Sequence, residues 1–218
     1  MRRIWTWIKV IIFLLIAMVL HYVLPQHDVG RVTSTEVIRA DFTGLNRLFY
    51  AQADSGAAEL TTRDLRLINT EIKKTWFLGF GQRESSKVMV YRNEDTGWIW
   101  PPYFKFDSSD LQAQAAASVS PGAEQWVVIT HYGWRNKYLT IFPNAIGIRK
   151  VAGPDVTVIP WFNIFFFVFV VVAFGLIRAM WRQFRERTID PAWEDVHDSV
   201  THQQGRLTRW LDSWRGRK

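Results

Sequence analysis

Two short stretches gather side chains able to do chemistry. The first is Arg92-Asn93-Glu94-Asp95, followed by Trp98 and Trp100. Adjacent carboxylates beside a guanidinium, an amide and two indoles suit a cation or a sugar-like ligand. The same residues also spell a hairpin turn: Asn and Asp bond nearby backbone, and Gly97 tolerates a left-handed conformation. The second stretch is His131-Tyr132-Gly133-Trp134-Arg135. An imidazole is a common general base, but no Ser or Cys is visibly paired with His131 as a nucleophile. A hydrogen-bonded structural histidine near a turn accounts for it better. Arg92, Asn93, Glu94, Asp95, Trp98, Trp100, His131, Trp134 and Arg135 thus form the candidate ligand or partner surface.

Other chemistries find no constellation in the sequence. His21, His27 and Asp28 lie close together, without a third ligand at a metal-binding spacing. His197 and His202 are five residues apart, poor spacing for a shared ion on a helix. Gly79-Phe80-Gly81 lacks the Lys-Ser/Thr of a phosphate loop. The chain has no cysteine, which excludes disulfides, thiol catalysis, thiolate metal sites and iron–sulfur clusters. The expectation is a protein without metal, cofactor or catalytic residues, and not an enzyme.

The elements that must position these clusters are set by two apolar runs. Ile4–Leu24 carries Trp5 and Trp7 at one end, Lys9 about a turn inside, and Tyr22 at the other end. It approaches the ~20 apolar residues needed to span a bilayer, and Lys9 can snorkel to the surface. The residues after it offer no small-x-small cleavage pattern, so an uncleaved anchor is expected rather than a signal peptide. Val158–Ile177 is the second run. Its uncharged Phe/Val-rich centre lies between Trp161 and Trp181, and Arg178, Arg182, Arg185 and Arg187 follow at once. A buried β segment would share its β-branched content; the length and the arginines favour a membrane span.

The net charge of +7 belongs beside these runs. Residues 26–157 hold 15 basic and 14 acidic residues, so the middle segment has no basic excess with which to bind nucleic acid. Lys and Arg flank the outer ends of both runs and are missing from Pro25–Val29 and Gly153–Pro160. Both termini therefore read as cytoplasmic, and the middle domain as periplasmic, on a bacterial inner membrane. The expected division is an anchor over 1–25, a β-rich domain over 26–157, a second span over 158–178 and a helical tail over 179–218.

Within the domain, strands are expected over Asp28–Asp41 (with room for a bulge), Leu65–Ile72, Lys87–Arg92, Gln125–Tyr132 and Ala145–Val151. Leu45–Phe49 reads as a short amphipathic piece and Ala51–Ala58 as a loop. Gly79–Ser86 reads as a turn, Trp98–Trp100 as a hairpin partner of Lys87–Arg92, and Tyr103–Asp107 and Tyr138–Phe142 as extended. Ser108 or Ser109 would cap a helix over Asp110–Val119. Three strands, a helix and two strands is the order of a small OB-type barrel; a sandwich, or a sheet with one covering helix, fits nearly as well. The fold class is thus membrane-anchored α+β, with two transmembrane helices flanking a mainly-β domain.

In the tail, Asp190-Pro191 reads as a helix start. Trp193, Val196, Val200, Gln203, Leu207, Trp210 and Trp214 then follow in a heptad stripe. Such a helix would lie on anionic lipid, associate with itself or meet a helical partner; a polar, partly disordered tail is the alternative. Trp5, Trp7, Lys9, Tyr22, Trp161, Arg178, Trp181, Arg182, Trp193, Trp210 and Trp214 are the expected membrane-interface residues.

The strings Leu24–Val37, Tyr91–Asp107 (YRNEDTGWIWPPYFKFD), His131–Trp134 and Ile141–Ala145 resemble a bacterial family of membrane proteins known only as a domain of unknown function. The resemblance covers about residues 20–175. It implies membrane residence and supplies no activity or site residues. The expected role is that of a non-enzymatic inner-membrane protein presenting its β domain to an envelope partner. A module binding a glycan or lipid headgroup is the alternative, and a membrane-bound enzyme a third.

Overall fold

A computed structural model describes residues 2–41, 49–50, 62–77, 80–98, 101, 103–119, 125–193, 210 and 216. The chain divides into two compact units, Met1–Asn163 and Ile164–Lys218.

In the first unit, helix α1 (Arg2–Val23) leads directly into strand β1 (Gln26–Asp41). Pro25 stops the helix: it has no N–H to donate and disfavours helical geometry at Leu24. Strands β2 (Thr62–Phe77), β3 (Phe80–Arg92), β4 (Trp126–Tyr132) and β5 (Asn144–Val151) complete a closed barrel in the order β1-β2-β3-β5-β4. Helix α2 (Ser108–Ala116) lies between β3 and β4 in sequence. This strand order and helix position are those of the OB-type barrel.

Barrel closure explains the length of β1. Residues 26–30 pair with β4, and residues 30–41 pair with β2. Gly30 stands at the corner and pairs in both directions, with a register shift just beyond, between Val32 and Ser34. A bulge there bends the strand from one neighbour to the other. The corner needs glycine: a Cβ on Gly30 would lie 2.5 Å from the Glu71 carbonyl oxygen and 2.8 Å from the Ile72 side chain.

The inner faces of the strands supply the core. Val32, Ile68, Ile72, Tyr91, Val127, Ile129 and Ala145 fill it, and α2 adds Leu111 and Ala115 from one helical face. A second cluster, Tyr50, Leu65, Leu67 and Phe142, packs the opposite face of β2.

Several expectations need correction. Of Gly79–Ser86, residues 80–86 are strand and not turn, since β2 and β3 pair as far as Phe77 and Phe80; Gly79 lies outside the described residues. A run of polar side chains does not prevent strand pairing. Trp98 does not extend β3, which ends at Arg92; Thr96 and Gly97 instead donate to the Lys105 carbonyl. Tyr103–Asp107 is irregular, with Phe104 at φ 50°. Residues 137–140 turn, and Asn136 bridges to Ile141. Most of Leu45–Phe49 and all of Ala51–Ala58 lie outside the described residues, as does Trp100.

Helix α3 (Trp161–Phe184) continues through a π-helical turn, Arg185–Ile189, to Trp193. Asp190-Pro191 therefore starts no helix. The wider π turn precedes Pro191 and accommodates the missing donor within one continuous helix. Arg178 and Arg182 lie inside α3, not beyond it. Arg3–Val23 and Trp161–Trp193 are each long and apolar enough to cross a membrane. Trp5, Trp7, Trp161, Trp181 and Trp193 are all exposed along them. The heptad stripe beyond Trp193 lies outside the described residues, apart from an exposed Trp210.

Replacing Gly30 with Ala is expected to destabilise the barrel by about 1–3 kcal/mol, because the clash is with backbone that cannot swing away. Urea unfolding of the full chain in detergent, followed by tryptophan fluorescence, measures it; an unchanged midpoint would show that the corner has slack.

Candidate functional site

The barrel has one thin seam. β3 and β5 run parallel and share a single paired position, Arg92 with Asn144. Where the ladder stops, side chains take over its hydrogen bonding. The Asn144 amide, fully buried, accepts from the Glu94 N–H at 3.0 Å and donates to the Glu94 carbonyl at 3.0 Å, as a strand neighbour would. It also donates to the Tyr132 hydroxyl. The Arg92 N–H bonds the Pro143 carbonyl at 2.9 Å.

Lys105 closes the same seam from the loop before α2. Its ammonium donates to Asn93 Oδ1 at 2.5 Å and to the Ala145 carbonyl at 2.8 Å. Burial pushes the Lys105 ammonium down to about 8, opposed by Asp95, Asp107 and Glu94. Asn93 in turn donates to the Ser108 carbonyl and the Gln112 side chain. Asp95 accepts from the Ser108 N–H at 2.8 Å and the Ser108 hydroxyl at 3.0 Å. The expected cap is thereby corrected: Ser108 is the first helical residue, and the Asp95 carboxylate caps α2 from a distant loop.

Arg92 is the centre of this end of the barrel. It is 1% exposed. Its guanidinium pairs with Glu94 at 3.1 Å, lies over the Tyr50 ring at 4.7 Å, and interacts electrostatically with the hydroxyls of Tyr22 and Tyr132. Burial works against its charge, but Glu94 together with the hydroxyls of Tyr132, Tyr22 and Tyr50 outweighs it and raises its pKa. Tyr22 belongs to the last turn of α1, so the helix is joined to the barrel here. The Gly133 N–H donates to the Tyr22 carbonyl at 2.9 Å, from a residue whose φ of 92° favours glycine. The Tyr103 hydroxyl donates to the Val23 carbonyl while its ring stacks on Tyr132 at 4.8 Å. Trp134 packs edge-on against Tyr22 and donates from Nε1 to His21. Asn163 adds a bond to the Pro25 carbonyl.

A separate polar group lies inside the barrel. His131 Nε2 is 3.0 Å from Asp28 Oδ2, and the Tyr91 hydroxyl donates to the same oxygen. Burial would raise the Asp28 carboxyl, but the hydrogen bonds from His131 and Tyr91 prevail and hold it below its usual value. Burial raises the Tyr91 hydroxyl well above its ordinary value.

The candidate surface thus separates into parts. Arg92, Asn93 and His131 are interior, not surface, residues. Glu94 and Asp95 are half-buried and spent on structure. Trp134 and Arg135 are half-buried beside α1 or the β4–β5 loop; Arg135 bonds the Ile141 carbonyl and lies over the Phe142 ring. Among the described candidates Trp98 alone is fully outward, 82% exposed. Lys105, Asn144 and Tyr103 are not singled out by sequence, and Ser108 only as a helix cap. The one hint was alternation in Tyr103–Asp107, which turns Lys105 opposite to Phe104 and Phe106. Among the described residues no cluster of His, Asp or Glu could hold a metal ion.

Residues 1–185 match a family described as "Protein of unknown function (DUF1523)". The chain belongs to this family. The match reaches further in both directions than the strings that suggested it, taking in all of α1. A Haemophilus influenzae protein named "Uncharacterized protein" is 37% identical over 158 residues, covering 72% of this chain and 80% of the relative. No solved structure matches. The chain is thus a member of a family of unknown function, with two helices able to cross a membrane.

Replacing Arg92 with Met removes the cation paired with the Glu94 carboxylate at 3.1 Å, and is expected to cost about 3–5 kcal/mol. Adding Glu94→Gln should restore a large part. Chemical unfolding of the two single variants and the double variant checks this; a double loss equal to the sum of the two single losses would mean that the pair carries no coupling.

Proposed function

We propose that this protein is a non-enzymatic component of the bacterial inner membrane that holds an OB-type barrel at the periplasmic surface for an envelope partner. The observation that carries the reading is the direct joining of α1 to the barrel. Tyr22 and Val23 are bonded to Gly133 and Tyr103 without an intervening linker. Such a mounting fixes the barrel close to the membrane instead of letting it roam on a tether. The titratable groups that might have acted on a substrate are committed to one another: Arg92 to Glu94, Lys105 to Asn93, Asp28 to His131 and Tyr91. That favours presentation over catalysis. The OB architecture does not decide the matter, since one fold hosts many functions. The distribution of Lys and Arg around the two spans supports cytoplasmic termini and a periplasmic barrel.

In-cell cross-linking of the full chain with a lysine-reactive reagent, read by mass spectrometry, tests the proposal. Lys137 and Lys150, both exposed on the barrel, are expected to link to a periplasmic segment of another envelope protein. Links from these lysines to cytoplasmic proteins would refute the topology, and links confined to the chain itself would refute the partner role.

A further inference from the structure

The loop between β3 and α2 turns three aromatic rings outward. Trp98, Phe104 and Phe106 are 82%, 53% and 56% exposed. They form one aromatic group, the Trp98 ring 5.4 Å from Phe104 and 5.6 Å from Phe106. A soluble surface ordinarily scatters such rings singly; a contiguous group marks something that covers it. Phe104 also sits at φ 50°, a left-handed conformation that costs a bulky residue about 1–2 kcal/mol. Strain of this kind persists where the surrounding structure enforces it and is drawn to functional positions.

The position of the group identifies what covers it. Tyr103, next to Phe104, bonds the carbonyl of Val23, the last residue of α1. Its ring is stacked on Tyr132, which shares Arg92 with Tyr22 of α1. The backbone of Phe104 is therefore fixed within one side-chain length of the point where α1 ends. The β4–β5 loop, tied to the same helix end through Gly133 and Trp134, exposes Tyr138 almost completely and holds Thr140 at φ 52°. Two loops at one helix end both expose aromatic rings and both carry a left-handed non-glycine residue. Trp, Tyr and Phe are the side chains that settle at the headgroup level of a bilayer.

We infer that Trp98, Phe104 and Phe106 seat the barrel on the phospholipid headgroup region of the leaflet from which α1 emerges. The inference rests on reading α1 as membrane-spanning. It adds a lipid contact made by the barrel itself. The barrel then has two fixings to one membrane, α1 through it and the aromatic loop upon it, which together restrict its tilt.

The absence of cysteine makes the test direct. Four single-cysteine versions of the full chain, Trp98→Cys, Phe106→Cys, Val88→Cys and Leu15→Cys, are labelled with an environment-sensitive fluorophore and reconstituted into phosphatidylcholine/phosphatidylglycerol vesicles. Val88 is 78% exposed on β3, about 13 Å along the strand from Arg92 at ~3.3 Å per residue. Leu15 reports on the middle of α1. Spin-labelled lipid with its nitroxide near the headgroup is expected to quench probes at 98 and 106 several-fold more than the probe at 88. Deeply labelled lipid should quench the probe at 15. If positions 98 and 106 behave like 88 while 15 is quenched, α1 spans and the barrel stands clear, so the lipid contact is wrong. If 98 and 106 are shielded from aqueous iodide without lipid quenching, a protein covers the rings and the inference fails. If 15 is not quenched, the membrane-spanning reading itself falls.

Discussion

The structure depends on closing a barrel whose last seam has almost no backbone pairing. An open edge between β3 and β5 would expose unpaired N–H and C=O groups, which is costly in a core. The single Arg92–Asn144 position cannot satisfy them. Asn144 and Lys105 do so with side chains: Asn144 bonds the Glu94 backbone, and Lys105 links the Asn93 side chain to the Ala145 carbonyl. Because these groups are interior, each must be fully bonded; a half-satisfied network would be worse than an apolar one.

From this seam the rest follows. Arg92 and Glu94 occupy its mouth, and the tyrosine hydroxyls around them include one from α1. Helix α1 and the barrel are thereby joined within one compact unit, Met1–Asn163. Asp95, one residue on, caps α2, and α2 closes the barrel interior with Leu111 and Ala115. Four consecutive residues, Arg92 to Asp95, thus govern anchor, seam and helix. Their dense polar character reflects the number of elements that meet there.

The strands with strong alternation, and the place of the helix among them, were legible in the sequence because the pleat imposes a period of two and a buried helix face a period near 3.6. The β1 bulge was legible in part, through the interrupted alternation of Asp28–Asp41. The far end of the β2–β3 hairpin was not, since Gly81, Arg83 and Ser85 are residue types common in loops and show no apolar alternation. The Arg92–Asp95 cluster was visible as a group but its role was not. Asn and Asp favour turns because they mimic backbone, and that same capacity lets them complete a ladder across a seam; spacing cannot distinguish the two. Asn144 and Lys105 gave no local signal because their partners lie 50 and 40 residues away. At Asp190-Pro191 the helix-start pattern misled, since a π turn can carry a helix through proline.

The account stands on the rigid joint between α1 and the barrel. Amide hydrogen exchange of the full chain in lipid nanodiscs tests it most directly. The Gly133 N–H, which bonds α1 through the Tyr22 carbonyl, should exchange as slowly as the Ile129 N–H in the middle of β4. Rapid exchange at Gly133 with β4 still protected would show the anchor and the barrel to be joined only by chain.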